Sequence, residues 1–323
     1  MTNTNTPDIT PDTDWSQSRF GVDIATTKPG TPGGAFMRQF WVAVARSKDI
    51  AVGEAKPLRI MSEDFTIYRG EDGEARIVDA RCPHRFALMH LGWVEGSAIR
   101  CVYHGWKFDV DGNCTDMANV PAHQDFKHKV HAKAYKAAER NGLVWVYMGD
   151  QAKVPELPPL EATLVPEQYM DIDFHQRDCN WLQALEGEID SSHVAWLHYG
   201  LFQKNDFQKD SIRGYQVAQR APEFVTHETD AGFMYGVDRP ADAGNLYWRI
   251  AHFAFPCWAL PPINNIEFNF LARAYVPLDD EHTMCVVMMM KGDPYKKEIA
   301  KIDRKSTRLN SSHVALSRMP SSA

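Results

Sequence analysis

Cys82-Pro83-His84-Arg85 and Cys101-Val102-Tyr103-His104-Gly105-Trp106 decide the reading of this chain. Together they spell C-x-H-x16-C-x2-H, two tight hooks with one Cys and one His each. Closely spaced Cys and His serve zinc or an iron–sulfur cluster. Structural zinc sites place two or more residues between paired ligands, whereas Pro83 alone separates Cys82 from His84. One Cys and one His per hook suits a [2Fe–2S] centre instead, with two thiolates on one iron and two imidazoles on the other.

A second pattern lies further along, in NWLQALEGEIDSSHVAWLH at 180–198, which reads D-x2-H-x4-H. Leu182, Leu185, Ile189 and Val194 predict an amphipathic helix over roughly 180–198. Asp190 and His193, at i and i+3, then share a face, with Glu186 one turn earlier. His198 is i+5 from His193, so both imidazoles reach one ion only if the helix widens or ends near Ala195–Trp196. Such irregularities favour functional sites. Two His and a carboxylate on one side of Fe(II) form the ligand set of non-haem iron oxygenases. The competing reading is a pair of ordinary helix-surface or core histidines.

The two patterns in one chain resemble the α subunit of Rieske non-haem iron aromatic ring-hydroxylating oxygenases. CPHR at 82–85 and CVYHGWKFD at 101–109 carry the Rieske resemblance. The run at 180–198 looks like the phthalate 4,5-dioxygenase branch, which also includes aromatic-acid O-demethylases. The resemblance covers about Arg38 to Asp303. It implies an α+β chain: an N-terminal all-β Rieske [2Fe–2S] domain at 36–150, then an antiparallel-sheet helix-grip catalytic domain at 155–303, truncated. Cys82, His84, Cys101 and His104 are the implied cluster ligands, and His193 and His198 the implied ligands of a mononuclear Fe(II). Asp190 is the implied bridge, holding His193 and contacting His104 of a neighbouring subunit in a homotrimer. The third iron ligand expected from the family is a carboxylate beyond the end of this chain. Asp279 and Asp280 read as a turn between strands.

By resemblance, an NAD(P)H-dependent flavin/iron–sulfur reductase supplies the electrons, and O2 is activated beside an aromatic acid. The alternative is a cluster-binding electron-transfer protein without a competent iron site. A Rieske ferredoxin needs only ~100 residues, so the second half of this chain speaks against a pure carrier.

Composition agrees with two domains. At 323 residues and 44% apolar content the chain can build two ordinary cores. Phe40–Ala45, Leu58–Ile60, Phe65–Tyr68, Arg76–Val78, Ile99–Cys101, Trp106–Phe108 and Leu143–Tyr147 read as strands. Pro155–Pro159 reads as a linker. Val225–His227, Gly232–Val237, Tyr247–His252, Ile266–Tyr275 and Met284–Met290 continue as strands. No stretch approaches the ~18 apolar residues of a membrane span. A net charge of −7 argues against nucleic acid. The opening MTNTNTPDITPDTDW lacks a secretory signal and predicts a disordered tail over 1–35. Six Cys, two of them committed to a cluster, fit a reducing cytoplasm.

From Arg304 the chain reads RKSTRLNSSHVALSRMPSSA, with six Ser and neither an aromatic nor an acid. It resembles a translated sequencing adapter, so 304–323 is expected to be non-native; a natural disordered tail is the competing reading. Phe202, Phe253, Phe255 and Trp258 are candidate pocket walls, Arg249 and Arg273 candidate partners for a substrate carboxylate. The basic stretch of Lys127, Lys129, Lys133 and Lys136, with His123, His128 and His131, is a candidate reductase dock or a solvated face.

Overall fold

The computed structural model of the protein describes residues 23–208, 211–262 and 271–290. Residues 1–22, part of the expected strand at 266–275, and the expected adapter tail lie outside the described residues.

Alternating apolar runs pair as strands wherever a turn lets the chain reverse. The first half holds β1 (Trp41–Arg46), β2 (Ala55–Ile60), β3 (Glu63–Arg69), β4 (Ala75–Asp79), β5 (Trp93–Glu95), β6 (Ala98–Arg100), β7 (Trp106–Phe108), β8 (Cys114–Met117), β9 (Ala134–Arg140) and β10 (Leu143–Tyr147). They form a six-stranded sheet in the order β1-β10-β9-β4-β3-β2 and a four-stranded sheet β5-β6-β7-β8. The β7–β8 reversal requires Gly112: its φ is +89°, and a Cβ there would stand 1.9 Å from the Ala132 carbonyl oxygen.

The second half adds β11 (Met170–Arg177), β12 (Phe224–Thr229), β13 (Gly232–Pro240), β14 (Leu246–Ala254), β15 (Trp258–Leu260), β16 (Leu271–Pro277) and β17 (Thr283–Met290). These build one antiparallel sheet ordered β11-β17-β16-β15-β14-β13-β12. Helices are few and short: α1 (Pro32–Met37), α2 (Glu161–Leu164), α3 (Trp181–Ile189) and α4 (Ile212–Ala218). None is long and apolar enough to cross a membrane.

One apolar core runs through both halves. Every residue of β10 is buried, because the second sheet covers the face that a lone sandwich would leave wet. Trp145 of β10 stacks on Trp258 of β15, ring centroids 5.7 Å apart. Met61 and Ser62 donate their N–H groups to the carbonyls of Pro277 and Leu278 at 2.9 and 2.8 Å. The Pro155–Pro159 linker is held at its start by the Trp41 indole, which donates to the Pro155 carbonyl.

Residues 23–35 depart from the expected tail. Thr27 is fully buried, and its N–H donates to Asp280 Oδ1 at 2.8 Å. The Ala25 carbonyl accepts from Asn180 Nδ2 and Trp181 Nε1. A Thr/Pro-rich strap cannot make a core of its own, but side chains distant in sequence satisfy its backbone. Composition alone does not see such partners.

The strap helps start α3, where Asn180 is the N-cap and accepts from the Leu182 N–H. Trp181, Ala184 and Leu185 are buried against the sheet. Near its end, Glu188 accepts from Arg273 Nη1 at 2.6 Å and from the Tyr275 hydroxyl at 2.6 Å. Arg273 is therefore committed to the fold. Glu188→Gln is expected to lower stability by about 2 kcal/mol in denaturant titration. That is below the ~3–5 kcal/mol of a fully buried pair, because part of the Arg273 side chain meets solvent.

Candidate metal centres

The two hooks are the same turn written twice. Cys82 N–H donates to the Ala87 carbonyl and Phe86 N–H donates back to Cys82; Cys101 N–H donates to Trp106 and Gly105 N–H back to Cys101. The fifth residue of each hook has positive φ, +57° at Phe86 and +73° at Gly105. The residue before each Cys braces it: Arg81 donates to the Phe86 carbonyl at 3.0 Å and Arg100 to the Gly105 carbonyl at 2.5 Å. Arg100 is held in turn by Glu95 and Asp116. Neither arginine was legible as part of the site, because each acts through backbone oxygens.

Cys82 and Cys101 are buried, while His84 and His104 are half-buried at the rim. The imidazole centroids of His84 and His104 are 4.6 Å apart. Trp106 is buried and stacks on His84 at 4.3 Å and 5°, its indole N–H donating to Asn119 Oδ1. Burial pushes the Cys82 thiol up to about 12, with Cys101 adding to the rise, while the backbone N–H groups of His84 and Arg85 favour the thiolate.

The donors fit a two-iron cluster. His84 Nδ1 is buried without a hydrogen-bond partner, and the two buried thiols form no disulfide. A cluster asks for only two donors per iron.

The second constellation is built differently from the predicted helix. α3 ends at Ile189, and Asp190 leaves it with φ −72° and ψ 118°. The Asp190 carboxylate accepts from the N–H groups of Ser192 (2.6 Å) and His193 (3.1 Å), capping a new turn. His193 Nδ1 lies 3.2 Å from Asp190 Oδ2. Residues 194–198 then form a π-helical turn, the widening that the i+5 spacing demanded. The rings of His193 and His198 come within 5.1 Å, which lets both reach one ion at metal–nitrogen distances of about 2 Å. With its proton on Nδ1, His193 would donate a hydrogen bond to Asp190 and present its other ring nitrogen to a metal. Glu186 is exposed and stands apart.

No described carboxylate joins the two histidines as a third donor. Asp279 accepts from the His282 side chain and from Arg59, and Asp280 from Thr27. Burial would raise the Asp279 carboxyl, but those donors outweigh it and hold it down at about 2. Both belong to the β16–β17 turn.

Beyond Tyr199 opens a cavity of about 630 Å³, lined by Tyr199, Phe207, Arg213, Gln216, Tyr247 and Arg249 among others. Gln216 is buried with its Oε1 unpartnered, and Arg249 Nε is likewise buried without a partner. Tyr235 lies on the same sheet face; burial and the Glu188 carboxylate push its phenol up. The expected pocket walls fall elsewhere. Trp258 and Phe253 are core, Phe255 packs on Phe36 and Phe40, and Phe202 is exposed. Apolar type alone cannot separate a pocket from a core. The basic stretch is partly neutralised: Lys127 pairs with Asp125 and Lys133 with Glu63, while Lys136 belongs to β9.

Comparison with known proteins follows the same division. Residues 40–135 match the Rieske [2Fe–2S] domain, and residues 146–309, about half the chain, match the family described as LigXa C-terminal domain like. The chain is 42% identical over 277 residues to the 3-chlorobenzoate-3,4-dioxygenase oxygenase subunit of Comamonas testosteroni, covering 85% of this chain and 64% of that one. It is 36% identical over 280 residues to the phthalate 4,5-dioxygenase oxygenase subunit of Pseudomonas putida, covering 81% and 61%. The chain thus spans less than two thirds of either relative. A crystal structure of dicamba monooxygenase bound to dicamba superposes with a TM-score of 0.62 over 85% of both chains at 18% identity, a likeness of fold. Paired metal-site patterns, a continuous antiparallel grip and two contiguous family matches converge: the chain belongs to the Rieske oxygenase α subunits, a family that carries a [2Fe–2S] cluster and a mononuclear iron.

Proposed function

We propose that the protein is the oxygenase component of a Rieske-type aromatic-acid dioxygenase or O-demethylase. Residues 36–150 form the cluster domain and residues from 155 the iron domain. Cys82, Cys101, His84 and His104 hold the cluster, and His193 and His198 the ferrous ion. The cluster supplies one-electron transfer and the ferrous ion O2 activation. The chain's own residues bind, orient and exclude water. Asp190 fixes the tautomer of His193. Arg249, which lines the cavity, suits a substrate carboxylate better than Arg273, which Glu188 already occupies.

The observation that carries this reading is the π-helical turn that brings His193 and His198 together behind Asp190, on the same chain as the hooks. The electron donor is a reductase or ferredoxin, and the assembly a homotrimer with Asp190 of one subunit beside His104 of the next. The exposed Val102 and Tyr103 beside His104 suit such a contact. Six cysteines without a disulfide suit a reducing cytoplasm.

The second reading is a cluster-only electron-transfer protein. Iron counting after anaerobic reconstitution separates the two. Three irons per chain, with O2 consumed in the presence of an aromatic acid, are expected for the oxygenase; two irons and no consumption would leave the carrier.

A further inference from the structure

We infer that Arg220 is the positioning residue that keeps His193 and His198 in register for one metal ion, an inference that rests on the iron assignment proposed above. In an α-helix, residues five apart point roughly 140° away from each other. The π-helical turn at 194–198 removes that divergence, but a π turn is rare and its last carbonyls lack intrahelical donors. Leu197 N–H reaches the His193 carbonyl and Gly200 N–H the Trp196 carbonyl, both at 2.7 Å. The Ala195 carbonyl receives the Arg220 guanidinium instead.

The same Nη1 donates to the Gly200 carbonyl at 2.8 Å, and Nη2 donates to the Phe202 carbonyl at 2.6 Å. The guanidinium also lies over the Trp196 ring, 4.6 Å from its centroid. One planar cation thus gathers three carbonyls on both sides of His198, a geometry that a planar fork of donors can meet. Packing does little of this work: Trp196, Leu197 and His198 are exposed. The polar contacts of Arg220 are all to backbone carbonyls, so its charge is spent on backbone shape. It is anchored from behind, where the fully buried Arg239 donates to the Gln219 carbonyl at 3.0 Å.

The test is Fe(II) uptake by the full-length, cluster-loaded protein under anaerobic dialysis, for wild type, Arg220→Gln and Arg220→Lys. Affinity for the third iron is expected to fall roughly 10–100-fold in Arg220→Gln, as when other supports of metal ligands are lost. Arg220→Lys should recover part of it, since an ammonium can serve some but not all of the three carbonyls. The EPR signal of the reduced cluster should be unchanged in both, which separates misplacement of the histidines from misfolding. Wild-type Fe(II) affinity in both variants overturns the inference, as does failure of both to fold, which would make Arg220 a stability residue. Wild-type protein that takes up no third iron overturns the underlying assignment instead, and the inference with it.

Discussion

Cys101→Ser is expected to strip both cluster irons from the chain and abolish the visible absorption and reduced EPR signal. The side chain is almost fully buried at the base of its hook, so no other donor can swing in. A serine hydroxyl stays protonated where a thiolate binds, and iron–sulfur clusters are held by thiolates. The effect on folding follows. Cys82, Cys101, Trp106, Met89 and Phe108 share one small apolar cluster, and metal binding free energy is partly folding free energy there. The thermal midpoint should therefore drop as well. Cys114→Ser is the control: Cys114 is buried in the same cluster with its thiol pushed up to about 11 by burial, yet it stands outside the hooks. That variant should keep two irons. Cluster irons retained in Cys101→Ser, or lost equally in Cys114→Ser, would refute the ligand assignment.

Asp190→Asn should have the second large effect, with the opposite signature. Asparagine caps a helical turn as well as aspartate, but only one of the two oxygens that accept from the Ser192 and His193 N–H groups remains an acceptor. What disappears is the negative charge beside His193 Nδ1. Without it the imidazole is free to take the wrong tautomer, and affinity for the mononuclear iron should fall roughly 10–100-fold. The cluster spectrum should survive, while reoxidation of the reduced cluster by O2 with substrate present slows sharply. Wild-type reoxidation and iron content in the full-length variant would dismiss a role for this carboxylate.

The hooks were legible because their ligands and turns are local: six residues of chain fix each one. Seven strands of the first half, β1 to β4, β6, β7 and β10, were legible for the same reason, as short apolar runs between turns, whereas β5 and β8, three and four residues long, were not. Nor was β9: Ala134–Arg140 carries charges along both faces, and its neighbours rather than its own pattern make it a strand. Met170–Arg177, by contrast, alternates Met170, Ile172 and Phe174 with Asp171, Asp173, His175 and Arg177, a period-2 signal that was present and went unread. At 180–198 the apolar spacing continued smoothly past the point where the helix stops. The signal that a break occurs was Asp190-Ser191-Ser192, three residues that favour caps over helix interiors. It was overridden by the spacing of Leu182, Leu185, Ile189 and Val194. The widening near Ala195 was legible, since only an irregular turn brings His193 and His198 together. Arg220 and the braces at Arg81 and Arg100 were invisible, because a donor to a distant carbonyl leaves no trace in spacing.

The stacking of Trp145 on Trp258, with the backbone bonds from Met61 and Ser62 to the β16–β17 turn, bears on engineering. A cluster module borrowed from a relative and grafted at 150 would bring a bare apolar seam with no matching counterpart. Chimeras in this family should be cut so that β10 travels with the strands that cover it.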